Sequence, residues 1–177
     1  SIGNIPSWIT PTEPDVHASR SAGDVGGYYY LMIEQQEHVK KQESFRHNAY
    51  KIITNEGIQE MADLSISFDP VYQKLTFHKL IIHRDGKKID RLNKNAIRTI
   101  QREQDMDRYL YDGSLTAIIN LNDIRIGDAI EYAYTISGYN PIYDGHVSHR
   151  IYLNYSVPYE KGIKRIVVPS ETKLFFK

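Results

Sequence analysis

The stretch that most constrains the fold runs from Leu115 to Tyr139. Leu115, Ala117, Ile119 and Leu121 alternate with Thr116, Ile118, Asn120 and Asn122. After Gly127-Asp128, Ile130, Tyr132, Tyr134 and Ile136 alternate with Ala129, Glu131, Ala133 and Thr135. Period-two alternation suits a strand with one face on a core and the other toward water. Two such runs around a short Gly-Asp connection predict an antiparallel pair.

The same rhythm recurs along most of the chain. Tyr28–Val39 and Glu43–Thr54 read as a long hairpin across Lys40-Lys41-Gln42. Phe45, Ala49 and Ile53 take one face of the second strand, and Arg46, Asn48 and Tyr50 the other. Ile58, Met61 and Ala62 have the spacing of a single helical turn. Leu64–Phe68 is a short strand closed by Asp69-Pro70. In Gln73–Arg84, Leu75 and Phe77 are out of phase with Leu80 and Ile82, which predicts either a β-bulge near Lys79 or burial on both faces. Arg84-Asp85-Gly86-Lys87 is a type I′ hairpin signal, with Lys88–Leu92 as the returning strand. Asn93–Asp107 fits a helix through Ala96, Ile97 and Ile100, or a strand through residues 98–102. Strands are also expected at Val147–Val157, Ile163–Val168 and Lys173–Phe176.

These elements predict an all-β fold: an antiparallel β-sandwich of about ten strands, with at most one or two short helical turns. Residues 1–27 hold Pro6, Pro11 and Pro14 and a Ser/Gly-rich run, the composition of an extended arm or linker. Trp8 is the one side chain in that arm suited to docking on the domain. Residues 28–177 then form a single sandwich domain. Ser1 in place of Met, and a strand-like end at Lys173–Lys177, lead us to expect a piece of a longer protein.

Charge and composition narrow the chemistry. Twenty-two basic residues balance 22 acidic ones, which argues against a nucleic-acid binder. The absence of cysteine excludes disulfides, thiolate metal sites and a cysteine nucleophile within these residues. No apolar run approaches the roughly 20 residues of a membrane-spanning helix. No cofactor motif is legible.

Several clusters remain, each with a plainer alternative. Glu103, Asp105 and Asp107 would share a face of extended chain and offer oxygens to a hard cation, but they lack the EF-hand glycine and distal glutamate; a solvated loop is the alternative. His146 and His149, like His78 and His83, are an odd number of residues apart and should point to opposite strand faces, which argues against zinc. Lys79–Arg102 carries eight basic residues against Asp85 and Asp90. Arg84, Lys87, Lys88, Arg91, Arg98 and Arg102 would form a docking surface for an acidic partner, or a lysine-decorated edge that discourages aggregation. Asp123, Asp128, Glu131 and Asp144 form an acidic group opposed only by Arg125. Fourteen tyrosines could present an aromatic platform to glycan or peptide, although Tyr132 and Tyr134 fall in phase with the core. Ser170-Glu-Thr-Lys173 matches S-x-x-K, but no G-x-S-x-G elbow exists. Asn154-Tyr-Ser156 matches a glycosylation sequon, which carries meaning only in a secretory context.

Four phrases taken together resemble one bacterial family: Asp69-Pro-Val-Tyr-Gln-Lys-Leu-Thr, Arg84-Asp-Gly-Lys, Gln101-Arg-Glu-Gln-Asp with Tyr111-Asp-Gly-Ser, and Asp123-Ile-Arg-Ile-Gly-Asp-Ala-Ile-Glu-Tyr-Ala-Tyr-Thr. It is the domain of unknown function that commonly precedes a transglutaminase-like domain of the papain superfamily. The resemblance covers most of residues 28–177. It implies an exported protein, periplasmic or on the cell surface, of a kind frequent in Bacteroidetes-like bacteria. It also implies that catalytic residues belong to a following domain, which would be this domain's own partner. No catalytic residue carries over to this chain. The reading is therefore a non-catalytic accessory domain, with a free-standing glycan- or peptide-binding module as the alternative.

Overall fold

The computed structural model describes residues 1–21, 23, 26–101, 113–143, 152 and 154–172. Among these residues, nine strands and one short helix follow in the order β1 (Tyr28–His38), β2 (Glu43–Ile52), α1 (Asn55–Glu60), β3 (Asp63–Phe68), β4 (Lys74–Arg84), β5 (Lys87–Asp90), β6 (Ile97–Gln101), β7 (Leu115–Asn120), β8 (Ala129–Ser137) and β9 (Gly162–Val167). They form a six-stranded sheet, β5-β4-β8-β2-β1-β9, and a three-stranded sheet, β3-β7-β6. All pairings are antiparallel except β1 with β9. The all-β, two-sheet reading holds. Among the described residues, no helix is long and apolar enough to cross a membrane.

Local signals act where expected. Asp85 and Gly86 both adopt positive φ, 50° and 74°, as a type I′ turn requires. Thr54 caps α1 by accepting from the Gly57 amide. Gly27 and Gly57 lie so close that a Cβ on Gly57 would stand 1.9 Å from the Gly27 carbonyl oxygen. The bulge in β4 falls between Phe77 and Lys79. It brings Leu75, Phe77, Leu80 and Ile82 back to one side, where all four enter the same core. That core lies between the sheets and includes Tyr50, Ile52, Ile66, Ile119, Ile130 and Tyr132. Each such side chain contributes roughly 1.5–3 kcal/mol by leaving water. In Asn93–Asp107 the strand alternative prevails for the described part: a 3₁₀ turn at Lys94–Ala96 leads into β6.

The expected pairing of the central stretch is wrong. β7 and β8 lie in different sheets. The chain crosses the sandwich between them, burying Leu121 and Ile124 in the inter-sheet core. Gly127 and Asp128 bond not to β7 but to Ile52 at the end of β2. β8 then inserts between β2 and β4. Alternation sets which face is apolar; it does not select the neighbouring strand.

The expected solvent face of β8 is also buried. Ala129, Glu131, Ala133 and Thr135 are all inaccessible. The reason is the N-terminal arm, which lies across this outer face of the large sheet. Ile9 packs with Phe45 and Ala133, and Trp8 joins them. Trp8 also donates from its indole nitrogen to Glu43 and meets the His38 ring edge-on at 5.2 Å. Val16 and Ala18 pack near Tyr29, Leu31 and Met32. The strand expected at Val147–Val157 is absent from its described residues, 152 and 154–157; the rest of it, and Lys173–Phe176, lie outside the described residues.

Candidate functional site

The arm covers a charged cluster on that outer face. Glu34 on β1 sits opposite His47 on β2, and Glu131 on β8 lies diagonal to His47 and to Lys79 and His83 on β4. Glu34, His47 and Glu131 are 0%, 3% and 1% exposed. His47 reaches Glu34 through Nδ1 at 3.0 Å and Glu131 through Nε2 at 2.8 Å. Glu131 also accepts from Lys79 Nζ at 2.7 Å and His83 Nε2 at 2.7 Å. Gln36 donates to Glu34 at 2.6 Å.

Protonation follows from this geometry. Two carboxylates face the two ring nitrogens of His47, so only the imidazolium can donate to both. Burial, the largest single influence, pulls the His47 pKa down, but the hydrogen bonds to Glu131 and Glu34 outweigh it and the net shift is upward. Burial pushes Glu131 up, yet its bonds to His47, Lys79 and His83 hold it well below the usual carboxylate range. Glu131 thus gathers His47, Lys79 and His83 around one carboxylate, and His47 bridges it to Glu34.

The chemistry available is limited. Every acid–base group in the cluster already has its partner, and a buried pair of this kind ties strands together. The nearest imidazole–hydroxyl contact is separate: His78 Nε2 lies 2.8 Å from Thr135 Oγ1, while its Nδ1 donates to the Gly3 carbonyl at 2.9 Å. Thr135 is buried, so that hydroxyl has no access to a substrate. Among the described residues no group of three or more His, Asp or Glu side chains is arranged to hold a metal ion.

Other sequence candidates distribute as follows. His78 and His83 do not point to opposite faces. The bulge at His78 adds one residue, and both contact groups on the outer face. Arg84 turns inward to the β7–β8 connection: Nε and one NH group fork onto Asp128 at 2.8 and 2.7 Å, and the other NH group reaches Asp123 at 3.1 Å. The Arg125 amide completes the Asp128 carboxylate at 2.8 Å. Lys87 and Lys88 on β5, Arg91 beyond it and Arg98 on β6, edge strands of the two sheets, are exposed. Glu103, Asp105, Asp107, Arg102, Asp144, His146, His149 and Lys173 lie outside the described residues. Ser170 bonds its neighbour Glu171 at 3.1 Å. Tyr28, Tyr30, Tyr50, Tyr132 and Tyr134 join the inter-sheet core, and Tyr29 packs under the arm. Tyr155, Tyr159 and the exposed Tyr152 line a cavity of about 60 Å³ with Ile33, Gly162 and Lys164.

The His47–Glu131 cluster was not anticipated. The available signal was a glutamate flanked by Ile130 and Tyr132 in the most strand-like run of the chain, together with Glu34-Gln-Gln-Glu37 inside another strand.

Residues 38–177 match the family described as "Domain of Unknown Function with solved-structure structure (DUF3857)". The chain belongs to the DUF3857 family. A comparison with curated proteins finds no match. Among solved structures, this DUF3857 domain is similar in fold to a crystal structure from Parabacteroides distasonis ATCC 8503 named a "putative protease". The TM-score is 0.56 at 17% identity, covering 65% of this chain and 24% of that one. The DUF3857 domain therefore spans about a quarter of the protein it resembles in shape. At that identity the likeness is one of fold.

Proposed function

We propose that this DUF3857 domain is a non-catalytic accessory β-sandwich of an exported transglutaminase-like protein, and that it packs on and positions the catalytic domain or its substrate. One observation carries the reading: the fold match occupies 24% of a much longer protein named a putative protease. Two features of the chain support it. It contains no cysteine to act as the nucleophile of a papain-type site. The acid–base groups of its buried cluster are consumed by one another. Lys87, Lys88, Arg91 and Arg98 offer exposed positive charge on two edge strands to an acidic neighbour. The periplasmic or surface setting rests on the family resemblance and is tested by cell fractionation of the native host.

The assay is peptidase and acyl-transfer turnover by the purified chain, beside the full-length protein. Turnover is expected from the full-length protein alone. Activity in the isolated chain that survives repurification would overturn the accessory reading.

A second reading, a glycan- or peptide-binding module, is favoured by the cavity among Tyr152, Tyr155 and Tyr159. Its volume of about 60 Å³ is well below the roughly 300 Å³ of ordinary ligand pockets. Six of the twelve described tyrosines also pack into the cores, which reduces the platform left for a sugar. Calorimetric titration with glycans separates the two readings.

A further inference from the structure

The N-terminal arm is held in an unusual way: the domain grips its main chain more than its side chains. At the start, Ser1–Gly3 add to β4 where β5 stops. β5 pairs only with Ile81–Arg84, leaving the edge near Leu75–Phe77 open. The arm fills it with the Ser1 amino group on the Leu75 carbonyl (3.0 Å), the Phe77 amide on the Ser1 carbonyl (2.8 Å) and the Gly3 amide on the Phe77 carbonyl (3.0 Å). This is strand addition to a sheet edge.

Farther on, five side chains of the domain bind arm carbonyls and amides. His78 donates to Gly3 O, and Arg165 to Trp8 O at 2.9 Å. The Gln36 side-chain amide closes a two-point clamp on Thr10, accepting from its N–H at 3.1 Å and donating to its carbonyl at 2.8 Å. Lys51 donates to Ala18 O at 2.9 Å, and Tyr29 OH to the same oxygen at 2.8 Å. By contrast, Ile9 is the one fully buried arm side chain among residues 1–21. Between residues 11 and 18 the arm alternates exposed and half-buried side chains, as an extended peptide does when it lies flat on a surface. Contacts to backbone groups do not depend on which residues carry them. The family match begins at residue 38, so the arm and nearly all of β1, with Tyr29 and Gln36, lie outside it, while Lys51, His78 and Arg165 lie within.

We infer that the outer face of the large sheet is a binding site for an extended polypeptide segment, recognised through its main chain with one aliphatic anchor, and that residues 1–18 occupy it in cis. The anchor pocket is formed by Phe45 and Ala133, where Ile9 now sits. Gln36, Arg165, Lys51, Tyr29 and His78 read the backbone on either side. A segment of another chain carrying one aliphatic residue in an extended stretch would make the same main-chain bonds after displacing the arm. Tethering gives the arm an effective concentration on the order of millimolar, so it competes strongly while attached. The inference stands on the arm contacts and does not rest on the accessory-domain reading; it can hold even if the chain proves to have turnover of its own.

The test keeps every residue. A protease site placed in the Ser19–Gly27 connector of the full chain is cut, and a fluorescein-labelled peptide of residues 1–18 is titrated in, read by anisotropy. The nicked protein is expected to exchange its arm for the labelled peptide saturably, and the intact protein far more weakly. N-methylation of the peptide at residue 10 removes the hydrogen that Gln36 accepts and should weaken binding about tenfold. Alanine at exposed positions 11 and 17 should change binding less than about twofold. Gln36→Ala in the protein should reproduce the loss. No exchange, or indifference to N-methylation, would overturn the proposal. Hydrogen exchange on the intact chain decides the matter even if the nicked protein unfolds: the Gly3 and Thr10 amides should open well before those of β2 and β8. Exchange of all of them only through global unfolding would make the arm a fixed part of the fold and end the idea.

Discussion

Replacing Glu131 with alanine is the sharpest test of how the large sheet is held together. The carboxylate is buried and accepts three donors at 2.7–2.8 Å, from His47, Lys79 and His83. Its removal strands those donors unequally. Lys79 is 18% exposed and has Glu13 at 3.6 Å, so it turns outward at modest cost. His83, 12% exposed, does the same. His47 keeps Glu34 but is left with a buried Nε2–H and no acceptor. Breaking a buried pair by removing one partner costs about 3–5 kcal/mol, and the escape routes of Lys79 and His83 favour the lower end. At about 2–4 °C per kcal/mol for a chain of this size, the melting midpoint should fall by roughly 6–12 °C. Urea unfolding followed by circular dichroism measures the loss, and the single tryptophan, Trp8, reports separately whether the arm leaves first. A loss under about 1 kcal/mol would refute the reasoning, because it would mean the cluster contributes nothing net. The pH profile is a second check on the same cluster. The folded pKa of His47 lies above its ordinary 6.5, so its contribution is full below pH 6.5 and is lost as pH rises through the folded value. Glu131 acts oppositely: its contribution is present above about 4.5 and disappears as pH falls toward its depressed folded value. Wild-type stability should therefore peak in the mildly acidic range and decline on the alkaline side, and His47→Gln should flatten that decline.

Phe77→Ala empties a fully buried site between the sheets and should cost about 3–5 kcal/mol in urea unfolding, with no change in strand content by circular dichroism. Gly57→Ala should destabilise by at least about 1–3 kcal/mol, since its new methyl would meet the Gly27 carbonyl oxygen at 1.9 Å and force α1 away from the chain entering β1; a neutral result would show that the two backbones separate freely. Gly86→Ala meets open space and bears only the cost of a positive φ of 74°, about 1 kcal/mol, so its melting shift should be much the smaller of the two. Reversing the charge of Lys87, Lys88 and Arg98 together should leave the melting midpoint within about 3 °C while weakening binding to an acidic neighbouring domain, and a large loss of stability would show that these side chains serve the fold instead.

The amino-acid sequence by itself determined most of the strand-forming segments, the Asp85-Gly86 turn, a phase slip in β4 that a bulge or two-sided burial would explain equally, and the all-β class. Each depends on neighbours within a few positions: alternation, a turn pair that tolerates positive φ, a phase slip. Only the tertiary structure decided that β7 and β8 part into separate sheets, that β8 pairs with residues some 80 positions before it on β2, and that the arm roofs the outer face. It also decided that Glu34, His47, Lys79, His83 and Glu131 meet at all. These residues come from four strands, and nothing in the spacing of any one strand records which of the others will lie beside it. A carboxylate in a strand reads as solvent-facing until something covers it; here the cover is a proline-spaced arm anchored by Ile9 and Trp8 and otherwise held largely through backbone atoms that every sequence shares.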